Sequence, residues 1–354
     1  MSDKIKQFSC PLPIEQYPVV SLAHGGGGRL MHQLISSMLQ AGLSNQYLDQ
    51  QLDAAVLPLA ALTKAEHAQL AFSTDSYVVS PIFFPGGNIG KLAVCGTVND
   101  LAMVGARPIA LSLGLIIEEG LPTNELLEII STVGEIARKL GIVVATGDTK
   151  VVERGKADRL FINTSGVGII DSGREISPKR ICTGDSILIS GDIARHGMAI
   201  MRVREGLSFA AEIDSDCAEL WSAVSAVMEA GVDIHALRDL TRGGLASGLV
   251  ELAQGGHVEI EIHEKLLLVR EDVFAACEIL GLDPLYVANE GCFVMFVSAA
   301  DEERALTALR RHAPQARSIG RVLSNTRARA ILRTSLGSAR AIEMCSGEQL
   351  PRIC

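Results

Sequence analysis

The sequence has no CxxC pair, no apolar run approaching the ~18 residues that cross a bilayer, no GxxxxGK[ST] phosphate loop and no dense cluster of lysine and arginine. Its eight cysteines (Cys10, Cys95, Cys182, Cys217, Cys277, Cys292, Cys345 and Cys354) stand singly, so neither a zinc site nor a disulfide framework is supported. The opening MSDKIKQFSCPLP lacks the apolar core of a secretory signal, and a cytoplasmic place is expected. A formal net charge of −9 and a pI near 5.4 argue against binding phosphate backbones, and the one basic stretch, SNTRARAILR, is short enough to read as solvated. No nucleic acid and no membrane is therefore expected among the partners.

What is present is a globular composition, with 48% hydrophobic residues and 34 glycines in 354 residues. That length exceeds most single cores and implies about two domains. An N-terminal domain over 1–172 opens with HGGGG (His24 to Gly28) running into a helix whose Met31, Leu34, Ile35 and Met38 recur at helical spacing. LAFSTDSYVV reads as a strand with Asp75 amid apolar residues, and a helix from about Asn88 carries Asn99 and Asp100 and stops near Gly105 and Pro108. The alternation in PIALSLGLII gives a half-buried strand, and a long amphipathic helix then ends at Gly141. Next come the strand IVVATGDTKVV, tipped by Asp148 and Lys150, and the strand RLFINTSGVGII.

The charged DSGREISPKRICTGD marks the boundary to a second domain over 173–333. Helices are expected there at 216–230, 241–253, 271–280 and 302–312, and strands at 258–263, 292–297 and 316–323. Residues 334–354 read as a tail. The fold class is α+β, two α/β-layered domains and a flexible C-terminal tail. Cys95 and Cys277 suit a core, whereas Cys354 at the terminus is expected to be exposed.

Asp75, Asp100 and Asp148 share one context, each ending or interrupting an apolar element. Singly, such a residue is more often a cap or turn residue than a ligand. Together with a glycine run they suit a hard cation and phosphate, because Mg²⁺ favours a few carboxylates plus phosphate oxygens. Two further islands are TRGG, with Arg242 at a helix start, and NEG, with Glu290 before an apolar strand. Arg242 could be a surface charge and Glu290 a solvated turn residue.

In order along the chain, HGGGG, FSTDSYVV, FFPGGNIGKLAVCGTVNDLA, IIEEGLP, TGDTKVV, DLTRGG, NEG and the closing PRIC resemble the HypE family. These are the carbamoyl dehydratases of nickel–iron hydrogenase maturation, within the ATP-binding superfamily of aminoimidazole ribonucleotide synthetase. The resemblance implies a homodimer joined through the N-terminal sheets, with ATP in a cleft that involves both subunits. It implies that Cys354 receives a carbamoyl group from the carbamoyltransferase HypF. ATP then phosphorylates the carboxamide oxygen, and loss of phosphate leaves a thiocyanate whose cyanide passes to iron on the HypC–HypD scaffold.

In the roles so implied, Asp75, Asp100 and Asp148 hold Mg²⁺. Asn99, Arg242 and the glycines Gly25, Gly26, Gly27 and Gly28 hold ATP phosphates, and Glu290 and Lys150 move protons off the carboxamide nitrogen. Cys10 and Cys292 are expected to be non-catalytic. The alternatives are another phosphorylating activity of the superfamily, of the selenide or thiamine-phosphate type, or a thiol carrier without enzymatic activity.

Overall fold

The computed structural model describes residues 17–25, 29–50, 57, 63, 65, 67–171, 175–206, 212–344, 350 and 352–354. Cys10 and Gly26 to Gly28 lie outside them. After α1 (Arg29–Leu34), the N-terminal half supplies β1 (Gln69–Tyr77), the small hairpin β2 (Phe83–Phe84) and β3 (Gly87–Asn88), and α2 (Ile89–Met103). It continues with β4 (Arg107–Glu118), α3 (Thr123–Leu140), β5 (Val143–Val152) and β6 (Leu160–Ile170). Four of the strands form one sheet in the order β1-β6-β4-β5, in which β4 and β5 are parallel across the α3 crossover and the other pairs antiparallel.

The two-residue period of β1 sorts its side chains. Ala71, Ser73, Asp75 and Tyr77 face the helices, while Leu70 and Phe72 point away and are 62% and 69% exposed. Helix α2 is apolar almost all round and is accordingly buried, with only Lys91 and Asp100 left partly accessible. Asn88 caps it, its side chain accepting from the N–H groups of Gly90 and Lys91 at 3.0 and 3.1 Å. The close approach of α2 to β1 depends on Gly96, where a Cβ would sit 2.3 Å from the Tyr77 hydroxyl.

The second half contributes β7 (Ser186–Ile189), α4 (Arg195–Arg204), α5 (Trp221–Glu229), β8 (Ile234–Asp239), α6 (Gly244–Gly256) and β9 (Glu259–His263). It goes on with α7 (Glu271–Leu280), β10 (Phe293–Val297), α8 (Glu302–Leu309), β11 (Arg317–Ser324), β12 (Arg329–Arg333) and β13 (Ala339–Ile342). Its seven strands run in the order β13-β12-β9-β11-β7-β10-β8, with the fully buried β10 near one edge. The helix expected over 216–230 starts only at Trp221, because 216–220 is an extended loop tied to α2. Helix α4 and strand β8 were not anticipated.

The C-terminal segment differs most from expectation. Its first part adds β13 to the sheet by pairing with β12, and its end is packed inside the molecule. Leu350, Ile353 and Cys354 join the core cluster that also holds α2 and α3 side chains and Met198, Ala199 and Ile200 of α4. Cys354 is 8% exposed, which corrects the expectation of an exposed terminal thiol. Hydrogen bonds to the segment after β1 compensate the cost of burying its backbone.

Candidate active site

Four carboxyl groups converge where the N-terminal sheet meets the second domain. Asp75 projects from the inner face of β1, and on α2 Asp100 accepts a 2.6 Å hydrogen bond from the Ser73 hydroxyl, one inward position earlier on β1. Asp239 ends β8 and is 8% exposed, and Glu290 lies in the turn before β10 and is 3% exposed. Burial raises the Asp100 carboxyl above its ordinary range, with the Asp75 charge adding to it. Burial, then the neighbouring Asp100, pushes Asp239 up to about 7. Burial also holds Glu290 well above the usual carboxylate range, reinforced by Asp216, Asp239 and Asp75.

A cavity of about 480 Å³ opens beside this cluster, lined by Ser73, Asp100, Ile176, Arg238, Asp239 and Glu251 among others. Arg242 lies 3.8 Å from Asp75, its side chain 69% exposed. The TRGG turn that carries it depends on Gly243 and Gly244, both at positive φ. A Cβ on Gly244 would sit 2.6 Å from the carbonyl oxygens of Leu285 and Val287.

The NEG turn is buried rather than solvated. Asn289 is fully enclosed, accepting from Ala194 N–H at 2.7 Å and donating to the Leu240 carbonyl at 2.9 Å. The Asp216 carboxylate accepts from the N–H groups of Glu290 and Gly291, both at 3.1 Å. Glu290 Oε1 is buried and has no hydrogen-bond partner among the described residues.

Asn99, expected as a phosphate ligand, has its side chain engaged by the backbone of the second half in this single chain. Its Nδ2 donates to the carbonyls of Ala218 at 3.0 Å and Glu290 at 3.4 Å, and its Oδ1 accepts from Leu220 N–H at 2.8 Å. Both amide hydrogens are thereby used, so the side chain locks the 216–220 loop and the Glu290 backbone in place.

Asp148 and Lys150 are not brought to this cluster within one chain. The register Asp75–Thr164–Leu113–Gly147 places Asp148 one residue out of the Asp75 row, hence on the opposite face of the sheet. Three strand spacings separate the two edges, about 14 Å. There Lys150 donates to Asp148 at 2.7 Å in an exposed pair, and that bond lowers the Asp148 carboxyl. Gly25 leans on the same edge, since a Cβ would meet Val151 at 2.8 Å. Among the described residues no three His, Cys, Asp or Glu side chains form a group that would hold a metal alone.

Cys354 lies past the far end of β1. Its carbonyl oxygen accepts from Val78 N–H at 3.1 Å, and the Arg352 carbonyl accepts from Ser80 N–H at 3.2 Å. Val78 is three residues beyond Asp75, about 10 Å along a strand.

Sequence reasoning passed over Asp239, although a lone carboxylate at the end of the apolar ALRDL stretch is the signal that singled out Asp75. It also passed over His196, which is enclosed in the core and bonded to the tail, and for which the sequence carries no comparable sign.

Residues 51–170 match the N-terminal domain of AIR synthase related proteins, and residues 183–333 match the C-terminal domain. The carbamoyl dehydratase HypE of Azotobacter vinelandii is 47% identical over 338 residues, 95% of this chain and 97% of that protein. A crystal structure of the hydrogenase maturation protein HypE in complex with ATP superposes with a TM-score of 0.89 at 46% identity, covering 94% of this chain and 99% of the other. A HypE chain from a HypE–HypF complex matches with a TM-score of 0.76 at 41% identity, over 90% of this chain and 100% of that one. The chain, an enzyme of hydrogenase maturation with two AIR synthase-type domains, belongs to the HypE carbamoyl dehydratase family.

Proposed function

We propose that the protein dehydrates a carbamoyl group carried on Cys354, at the expense of ATP. The overall change is R–S–C(O)NH₂ + ATP → R–S–C≡N + ADP + phosphate. The carboxamide oxygen attacks the terminal phosphorus and ADP leaves. Loss of two N–H protons and departure of that oxygen as phosphate then form the nitrile. The observation that carries this reading is the seating of Cys354 in the core, in line with the β1 strand that bears Asp75. Val78, whose N–H holds the Cys354 carbonyl, is about 10 Å along the strand from Asp75, a span that would accommodate a carbamoyl group and the terminal phosphate of ATP.

Asp75 and Asp100, with Asp239, suit Mg²⁺. They are hard oxygen donors whose mutual repulsion a cation relieves, and too few to complete a shell without phosphate oxygens. Bound there, Mg²⁺ would neutralise charge on the transferring phosphoryl group. Arg242 beside Asp75 and the glycine run from Gly25 to Gly28 are assigned to the phosphates. Glu290 is assigned to the carboxamide nitrogen. Burial raises its carboxyl well above the usual carboxylate range, and its ionised form is the one that would accept a proton.

Asp148 and Lys150 are assigned to the site of a second subunit. In one chain they face away from the cluster, on the same sheet face as the exposed Leu70 and Phe72 of the opposite edge strand, which fits a homodimer formed through the N-terminal sheets. HypF would donate the carbamoyl group, as the HypE–HypF complex among the similar structures suggests, and the HypC–HypD scaffold would receive the cyanide in the cytoplasm.

Mass spectrometry of the C-terminal peptide tests the reading. After incubation with the carbamoyltransferase, carbamoyl phosphate, Mg²⁺ and ATP, the carbamoylated peptide is expected to lose one water mass only when ATP is present. Cys354→Ala is expected to bind ATP yet yield no thiocyanate. Cyanide delivery by that variant would overturn the assignment.

A further inference from the structure

The end of the chain is held by more than apolar packing. Each carbonyl oxygen of residues 352–354 accepts a hydrogen bond: Arg352 from Ser80 N–H and the Arg204 guanidinium, Ile353 from His196 and Cys354 from Val78 N–H. Two of these donors, His196 and Arg204, lie on α4, a helix that none of the functional assignments above uses. His196 Nε2 is 2.6 Å from the Ile353 carbonyl oxygen. A carbonyl only accepts, so Nε2 carries the proton.

The other ring nitrogen, Nδ1, is 2.7 Å from the Ser215 hydroxyl, whose oxygen in turn accepts from Cys217 N–H at 3.0 Å. Burial lowers the imidazole to about 4, so the ring is neutral and Ser215 donates to it. The tautomer is thereby set, with the donor aimed at the tail.

Helix α4 is itself fixed to the turn that presents Glu290. Asn289 Oδ1 accepts from Ala194 N–H at 2.7 Å, and the Ala288 carbonyl accepts from Gly197 N–H at 3.0 Å. Gly197 leaves the space that Leu350 fills, since a Cβ there would lie 3.1 Å from Leu350 Cδ1 and 2.5 Å from Val287 Cγ1. Arg204 closes the other side, its Nε donating to the Ser80 carbonyl at 2.5 Å.

We infer that His196 and Arg204 are positioning residues, a receptor on α4 for the backbone of residues 352–354 that registers the Cys354 thiol against the active site. The inference rests on Cys354 being the group carrier. Because carbonyls rather than side chains are gripped, the receptor can hold the tail whether the Cys354 sulfur is free, carbamoylated or converted to thiocyanate. Arg352 adds selectivity, pairing with Asp158 at 2.6 Å and donating to the Val78 carbonyl at 3.1 Å.

The test is iodoacetamide labelling of the full-length protein with ATP and Mg²⁺, read cysteine by cysteine by peptide mass spectrometry beside the kinetics of dehydration. His196→Phe keeps the ring but removes the donor. It is expected to label Cys354 roughly tenfold faster or more, while Cys95, Cys217, Cys277 and Cys292 stay protected. Its kcat should fall with the KM for ATP unchanged, and His196→Gln, which retains an N–H donor, should restore both readouts at least in part. If the inner cysteines of His196→Phe also label, the variant has lost its fold and Arg204→Met decides by the same measurement. An unchanged Cys354 labelling rate in a folded His196→Phe or in Arg204→Met overturns the inference, as does a His196→Gln variant as fast as His196→Phe. Faster labelling of folded variants whose wild type shows no dehydration leaves the receptor standing and removes the proposed reaction instead.

Discussion

Asp239 shows how much a single carboxyl in this site depends on its surroundings. Buried beside Asp100, it binds its proton up to a pH of about 7, whereas in the unfolded chain it lets go near 3.8. The folded state therefore holds the extra proton between these values, and stability falls as pH rises through that window. Asp239→Asn removes the effect. Measured by urea unfolding without Mg²⁺, the variant should match the wild type near pH 4 and exceed it by a few kcal/mol at pH 8. A constant difference across the range would show that Asp239 does not titrate there. Asp216, pushed by burial up to about 6, contributes a smaller total change of the same sign over a narrower window.

At the scale of elements, helix α6 has the most demanding start. Gly244 combines positive φ with two carbonyl oxygens where a side chain would begin. Gly244→Ala is expected to cost about 2–4 kcal/mol in urea unfolding and to displace Arg242 from Asp75. A loss below about 0.5 kcal/mol would mean that the turn relaxes freely.

Legibility also divides at this scale. The strand around Asp75, the amphipathic α3 with Gly141 at its end, and α7 over 271–280 were readable because period and capping act locally. Helix α4 was not. It begins after Ala194, a non-glycine residue at positive φ, and buries His196 and Gly197, so its reason for existing lies in the tail and the NEG turn rather than in its own sequence. At the cluster, Asp75 and Asp100 stand out in the sequence as carboxylates that interrupt apolar elements, whereas the NEG island left Glu290 open to a solvated turn. The contacts of Asn99 with the 216–220 loop were not legible, because its partners Ala218 and Leu220 are about 120 positions away and nothing nearby announces them.

For the molecule as a whole, the proposed homodimer would form on the outer face of the N-terminal sheet. Leu70, Phe72 and Ile116 stand exposed on it, a patch of the kind that a second subunit covers. Phe72→Asp is expected to shift the protein toward monomer in light scattering and to abolish turnover together with dimerisation. A dimeric Phe72→Asp would place the interface elsewhere.

The separation of Lys150 from Glu290 onto opposite sides of that sheet has a genetic consequence. If every working site takes its lysine from one copy and its glutamate from the other, two dead variants can rescue each other. Co-expressed Lys150→Ala and Glu290→Gln chains would form mixed pairs with one intact and one doubly damaged site, recovering about a quarter of wild-type turnover at equal mixing. Chains carrying both substitutions would recover none, and allelic complementation thus reads subunit architecture directly from activity.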